Sequence, residues 1–237
     1  MELIDHQMMG YDRAITLFSP DGRLLQVEYA KKTVRQGSTA IGIVYKEGVI
    51  LVTDKRVLNT LLVADAVEKI FVVDEHIIAT AAGIISDARV LISRGQVYAQ
   101  QHRLNYDNPI DVFLIVKDLC DLKQYFTQSG GARPFGVSLL IAGYDAEPRL
   151  YETDPTGIYF RYLARAIGEH EEEAEKILQK EYKQGMGFEE AVKFSLSIMK
   201  KLLKEEFSLN RIDLAYVDSS KTNKKLTKKE IESFMKK

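Results

Sequence analysis

Three residue types that together can cleave an amide fall at the ends of predicted strands. Ser38-Thr39 opens the first strongly apolar run, Asp54 closes the second, and Lys69 precedes the third. A hydroxyl, an acid and a lysine on adjacent strand ends could form an N-terminal nucleophile site. Such a site uses the free α-amine of the nucleophilic residue as base, because a hydroxyl alone attacks poorly near neutral pH. Ser38 is preceded by 37 residues, so its nitrogen is an amide with no lone pair to offer. Only cleavage before Ser38 or Thr39 would arm the group. Two readings stand: a self-processing hydrolase that exposes Ser38 or Thr39, and a chain without activity whose Asp54 and Lys69 are strand-end charges near solvent.

Other chemistry is poorly supplied. The four histidines, His6, His76, His102 and His170, never lie three or four residues apart, and the single cysteine, Cys120, has no thiol partner. A helical His-x-x-x-His zinc site is excluded, and no metal or cofactor is expected. Cys120 reads as a small buried hydrophobe. Gly185-Met186-Gly187 joins two predicted helices and follows no strand, so it is not a dinucleotide loop. The C-terminal lysines are interrupted by Glu230 and Glu232 and read as a solvated tail. A formal net charge of −1 offers no field for nucleic acid. The opening MELIDHQMMG has no basic, apolar signal pattern, and no run approaches the ~20 apolar residues of a membrane span. One cysteine suits a reducing compartment. A soluble, cytoplasmic protein is expected.

The elements that must position Ser38, Asp54 and Lys69 follow from periodicity. Residues 1–20 form a polar leader ending in a Ser-Pro-Asp-Gly turn. The spacing of Leu24, Val27, Ala30 and Val34 predicts a helix over 21–36, with Asp21 as N-cap and Gly37 as a left-handed terminator. STAIGIVY and GVILVT, then IFVV and HIIATAA, read as two hairpins buried on both faces. Two helices follow, one capped near Ser86-Asp87, the other by Asn108 with Pro109 first. FGVSLLIAG, RLYET and GIYFRYLARAIG form a second strand group. Two more helices follow, the first with Glu172 and Lys176 at a favourable i,i+4 spacing, the second over residues 188–207. RIDLAYV is a last strand, and a short helix starts near Thr227. Hairpin connections imply mostly antiparallel pairing. Two sheets, each needing cover on its outer face, predict an α+β fold: a four-layer α-β-β-α sandwich in a single domain over 1–237, with a core at 37–220 and a tail at 221–237.

The segment YDRAITLFSPDGRLLQVEYA resembles the N-terminal signature of α-type subunits of the 20S proteasome, the archaeal kind above all. GSTAIGI, VTDKR, EKI, AAGIISDARVL and GARPFGVSLLIAGYD resemble further blocks of that family, in the same order. The resemblance implies an N-terminal nucleophile hydrolase fold without activity. It implies a seven-membered ring of α-subunits that caps β-subunits carrying the threonine nucleophile. Ser38, Asp54 and Lys69 would be relics, covered by the N-terminal helix. It further implies that residues 1–10 act as a pore gate for unfolded protein substrates, with Tyr11, Asp12, Pro20 and Tyr29 as the open-state cluster. Glu28, Lys31, Lys69, Gly83 and Ile84 would form a pocket for the C-terminal tail of an activator ATPase. Lys31 stands where arginine is common and Ile84 where leucine is. RPFGVSLL is assigned to core and subunit packing, with no site. A stand-alone ring acting as a scaffold is a third reading.

Overall fold

The computed structural model describes residues 10–56, 61–63 and 66–236. Helix α1 spans Leu25–Gln36. The first two hairpins are β1 (Ala40–Tyr45) with β2 (Gly48–Asp54) and β3 (Ile70–Asp74) with β4 (Ile77–Gly83). Helices α2 (Ile85–Tyr106) and α3 (Val112–Gln128) precede β5 (Val137–Tyr144), β6 (Pro148–Thr153), β7 (Tyr159–Arg161) and β8 (Ala164–Ile167). Helices α4 (Glu171–Glu181) and α5 (Phe188–Leu203), strands β9 (Ile212–Asp218) and β10 (Asn223–Lys225), and helix α6 (Lys228–Lys236) complete the chain.

The strands form two five-stranded sheets, ordered β10-β9-β2-β1-β8 and β3-β4-β5-β6-β7. Every pairing is antiparallel. Side chains alternate across each strand, and in the central strands both faces are dry. β1 sends Ile41 and Ile43 under α4 and α5, and Ala40 between the sheets; β2 divides Ile50 and Val52 from Val49 and Leu51 in the same way. β4 gives Ala79 and Ala81 to α2 and α3, and Ile78 and Ala82 to the layer between the sheets. Three apolar layers thus separate four layers of structure, and the α-β-β-α sandwich read from the sequence holds. Helix α1 is the extra element. It lies on β4 and β5, burying Leu25, Val27, Ala30 and Val34. Among the described residues no helix is long and apolar enough to cross a membrane.

Several boundaries differ from those expected. Helix α1 begins at Leu25, with Leu24 before it and no side-chain cap, because Asp21 belongs to the preceding turn. There the Ser19 and Gly22 amides donate to Arg23 O and Ser19 O at 2.9 and 2.8 Å. Gly37 is extended (φ −71°) rather than left-handed. Ser86 and Asp87 lie inside α2, which starts one residue earlier. Asp111, not Asn108, caps α3, accepting the Phe113 amide at 2.8 Å. The segment 157–168 is two strands, not one. β7 closes one sheet and β8 the other, with the chain crossing between sheets at Tyr162-Leu163. β10 was not legible at all. The short helix near Thr227 is as expected, and it is capped reciprocally: the Glu230 carboxylate accepts the Thr227 amide while the Glu230 amide reaches Thr227 Oγ1, a capping box.

Candidate functional site

Pairing of β1 with β2 sets Ala40 opposite Thr53, so Ser38-Thr39 and Asp54 meet at one end of the sheet. Ser38 is buried, and its hydroxyl donates to Asp54 O at 2.8 Å. The Asp54 amide donates to Thr39 O at 3.0 Å. The Asp54 carboxylate is gripped from the far end of the chain: Arg211 Nε and Nη2 donate to its two oxygens at 2.9 and 2.7 Å. The Arg56 amide donates to Oδ1 at 2.9 Å. Hydrogen bonding to Asp54 leads the factors that hold the Arg211 guanidinium well above its usual range. Thr39 Oγ1 accepts the His170 amide at 3.4 Å.

Lys69 is only 5% exposed, and its ammonium donates to Ala81 O at 2.8 Å. Burial pushes it down to about 8, against the pull of the nearby Asp54 carboxylate. The expectation that Asp54 and Lys69 are solvent-facing strand-end charges is therefore wrong. Hairpin pairing carries both ends inward, and α1 lies on the sheet that Lys69 enters. The site is chemically spent. The hydroxyl proton of Ser38 is committed to a carbonyl, its nitrogen is acylated, and the carboxylate that could orient a base is shared with arginine.

Helix α1 arrives at this place through Gly37. A Cβ on Gly37 would stand 2.1 Å from Gly83 N, so glycine is required there for close approach rather than for its dihedral freedom. Gly83 does use the left-handed half of the map (φ +114°), and its own Cβ would meet Gly136 O at 2.2 Å. The Ile84 amide donates to that same oxygen at 2.9 Å. Lys69, Gly83 and Ile84 therefore gather around the last residues of β4. Glu28 and Lys31, expected beside them, are engaged within the chain. Glu28 accepts a two-pronged bond from Arg23, through Nε at 2.6 Å and through Nη2. Lys31 pairs with Asp154 at 2.9 Å. Of the expected gate cluster, Tyr11 opens a single 3-10 turn against α1. Pro20 is exposed in the Ser19–Arg23 turn, and the Tyr29 ring has Lys32 Nζ 5.3 Å from its centre. Residues 1–9, most of the expected gate, and the Asp12 side chain lie outside the described residues.

Sequence reasoning missed two contributors. Arg211 sits 157 residues from Asp54, and nothing in RIDLAYV marks it. Gly136 was left without a role, yet its amide donates to Asp87 Oδ2 at 2.9 Å while Arg133 holds both Asp87 oxygens at 2.6 and 2.7 Å. Burial alone would raise the Asp87 carboxyl, but the bonds from Arg133 and Gly136 hold it below its ordinary value. The RPFG segment that carries these groups was legible as a motif, though not as a support for the end of β4.

Comparison with known proteins agrees with this fold. Residues 34–217 match the family model for proteasome subunits, and residues 11–32 match the model for the N-terminal signature of the A-type proteasome chains. A proteasome alpha chain from Archaeoglobus fulgidus is 50% identical over 228 residues, covering 96% of this chain and 93% of that one. The protein of the same name from Pyrococcus horikoshii is 48% identical over 227 residues (95% and 87%). That from Methanopyrus kandleri is 47% identical over 224 residues (94% and 91%). The chain belongs to the proteasome subunit family, and within it to the alpha type.

Proposed function

We propose that this chain is a non-catalytic subunit of a protein-degrading chamber, one of seven copies in an outer ring that admits unfolded protein. Its β-subunit partners carry the threonine-type peptidase activity. Residues 1–10 act as the gate, held open by Tyr11, Asp12, Pro20 and Tyr29. The pocket around Lys69, Gly83 and Ile84, with Glu28 and Lys31 on the adjoining helix, receives the C-terminal tail of an activator ATPase ring. The work is cytoplasmic. One observation carries the reading: the apolar face of α1 is buried against the sheet, so the segment before Ser38 is built into the fold rather than set aside for removal. An N-terminal nucleophile hydrolase exposing Ser38 or Thr39 would have to surrender that buried face.

The test is peptide hydrolysis by the assembled particle with and without residues 1–10. Deletion should raise the rate, because the restriction on entry is gone. An unchanged rate would sink the gating claim. Native mass spectrometry of the chain expressed alone tests the rest: uncut chains in sevenfold rings are expected, whereas chains beginning at Ser38 or Thr39 would restore the hydrolase reading.

A further inference from the structure

Between the end of β4 and helix α1 lies a single peptide group, that of Gly136. Its carbonyl oxygen takes two donors, the Ile84 amide at 2.9 Å and Thr33 Oγ1 at 2.8 Å. The contact is close on all sides. A Cβ on Gly136 would stand 2.7 Å from Ile84 Cδ1 and 2.8 Å from Thr33 Oγ1. Gly136 is thus clasped between the pocket rim and the helix, while its amide donates to Asp87 from behind, and Arg133 in turn holds that carboxylate. Thr33 is one helical turn on from Tyr29, on the same side of α1.

The Thr33 hydroxyl has one proton and two acceptors at the same distance: Gly136 O at 2.8 Å, and Ala30 O within its own helix, also at 2.8 Å. A hydroxyl donates one hydrogen bond. With the proton toward Gly136, α1 is tied to the pocket rim. With the proton toward Ala30, the helix satisfies itself and the tie is released. A two-position donor between two packed elements is the kind of discrete alternative through which one site can bias another.

We propose that Thr33 is a positioning residue that couples the pocket at Gly83-Ile84 to helix α1. An occupant that shifts Ile84 shifts the Gly136 carbonyl, and the Thr33 proton reports that shift to the helix carrying Glu28 and Tyr29. The inference rests on the reading that the pocket takes a peptide C-terminus and that Tyr29, on α1, belongs to the gate cluster.

The experiment uses the assembled particle and a synthetic peptide ending in an apolar residue, tyrosine, any residue and a free carboxylate. Peptide hydrolysis is titrated against this tail for wild type, Thr33→Val, Thr33→Ser and a particle lacking residues 1–10. Valine keeps the branched shape and removes the donor. Maximal stimulation should fall about fivefold in Thr33→Val, the factor that the net worth of one hydrogen bond carries. The tail concentration giving half the effect should stay within about twofold, because the pocket groups themselves are untouched. Thr33→Ser should recover the maximum, and Thr33→Val should lose no more stability than one hydrogen bond supplies. A merely structural role would lower the melting temperature and leave the ratio of maxima at the wild-type value, so the ratio is the deciding readout. If Thr33→Val is stimulated as fully as wild type while the deletion raises the rate, the coupling is refuted and the gate reading survives. If the tail stimulates no particle, or the deletion changes nothing, the parent reading fails and the coupling falls with it.

Discussion

Lys69 offers the sharpest test of the pocket, because its charge is poised. Burial has brought the ammonium down to about 8, with a backbone carbonyl as its hydrogen-bond partner. A tail carboxylate beside it would favour the charged form and raise that value, so binding takes up a proton wherever the free lysine has lost one. Below pH 8 the lysine is already charged and affinity is at its full value. Above pH 8 the protein must first be protonated, and affinity falls. At pH 7 about nine-tenths of the lysine is charged and at pH 9 about one-tenth, so the tail should bind roughly tenfold more weakly at pH 9. The tail itself contributes nothing to this change, since an α-carboxyl titrates near ~3.5 and tyrosine near ~10. The assay is the concentration of tail peptide giving half-maximal stimulation of peptide hydrolysis at pH 7, 8 and 9. The particle lacking residues 1–10 reports the pH dependence of catalysis alone. Lys69→Arg, if it binds, should show a flat profile, because arginine stays charged throughout. A flat wild-type profile from pH 7 to 9 would refute the reasoning, and so would a Lys69→Arg profile that declines like wild type.

Two further outcomes follow from buried groups. Gly37→Ala would drive a Cβ into the Gly83 and Ala82 backbones at 2.1 and 2.9 Å. Main-chain atoms cannot step aside, so α1 must unseat at a cost of about 3 kcal/mol or more. Gly130→Ala, where nothing lies within 4 Å of the new atom, should melt like wild type; equal melting of the two variants would contradict the close approach. Lys123 is fully buried on α3, donating to Val137 O and Thr153 Oγ1 at 3.0 and 2.8 Å, and burial pushes it down to about 8. Between pH 8 and about 10.4 the unfolded chain holds a proton that the folded chain has lost, so stability rises with pH there, by up to about 3 kcal/mol for this residue. Below pH 8 both states are charged and the cost of burial is felt in full. Lys123→Met removes that contribution, so the denaturant midpoint of the variant relative to wild type should fall as pH rises from about 8 to 10; parallel pH profiles would refute the buried charge.

The layered architecture was legible because its cause is local. A run such as GVILVT, apolar at nearly every position, fits a strand with both faces dry, and two such hairpin groups flanked by amphipathic helices leave few arrangements other than stacked sheets. The crossing at Tyr162-Leu163 was not legible for the same reason. Alternation says that a residue is buried, not which sheet it belongs to, so β7 and β8 read as one strand. Caps failed through competition. Asp21 and Asn108 are good capping types, but the Ser19–Arg23 turn holds the first and Asp111 sits closer to the helix the second was expected to cap. At the site, the type and order of Ser38, Asp54 and Lys69 could be read, but their partners could not. The Asp54–Arg211 pair spans 157 residues, and a charged residue at a strand end looks the same in sequence whether water or an arginine awaits it.

That pairing bears on why a spent site should keep its lysine. A buried ammonium whose partner is a carbonyl pays for its desolvation without an opposite charge in contact. Asp54 is close enough to influence Lys69, but both its oxygens are taken by Arg211. Arg211 in turn reaches Glu206 with its remaining nitrogen at 2.7 Å. The carboxylate most able to neutralise Lys69 has thus been given to another cation, and among the described residues the lysine gains no acceptor with full negative charge in its place. A catalytic lysine of this kind would serve a nucleophile; here the Ser38 hydroxyl donates its hydrogen bond to Asp54 O, away from any base. What the arrangement retains is a buried ammonium at the end of β4 with only a carbonyl as acceptor, which on the proposed reading waits for a carboxylate. On the proposed reading, disarming the site and making it a receptor are one change: Arg211 silences Asp54, and by doing so leaves Lys69 in need of a partner from outside the chain.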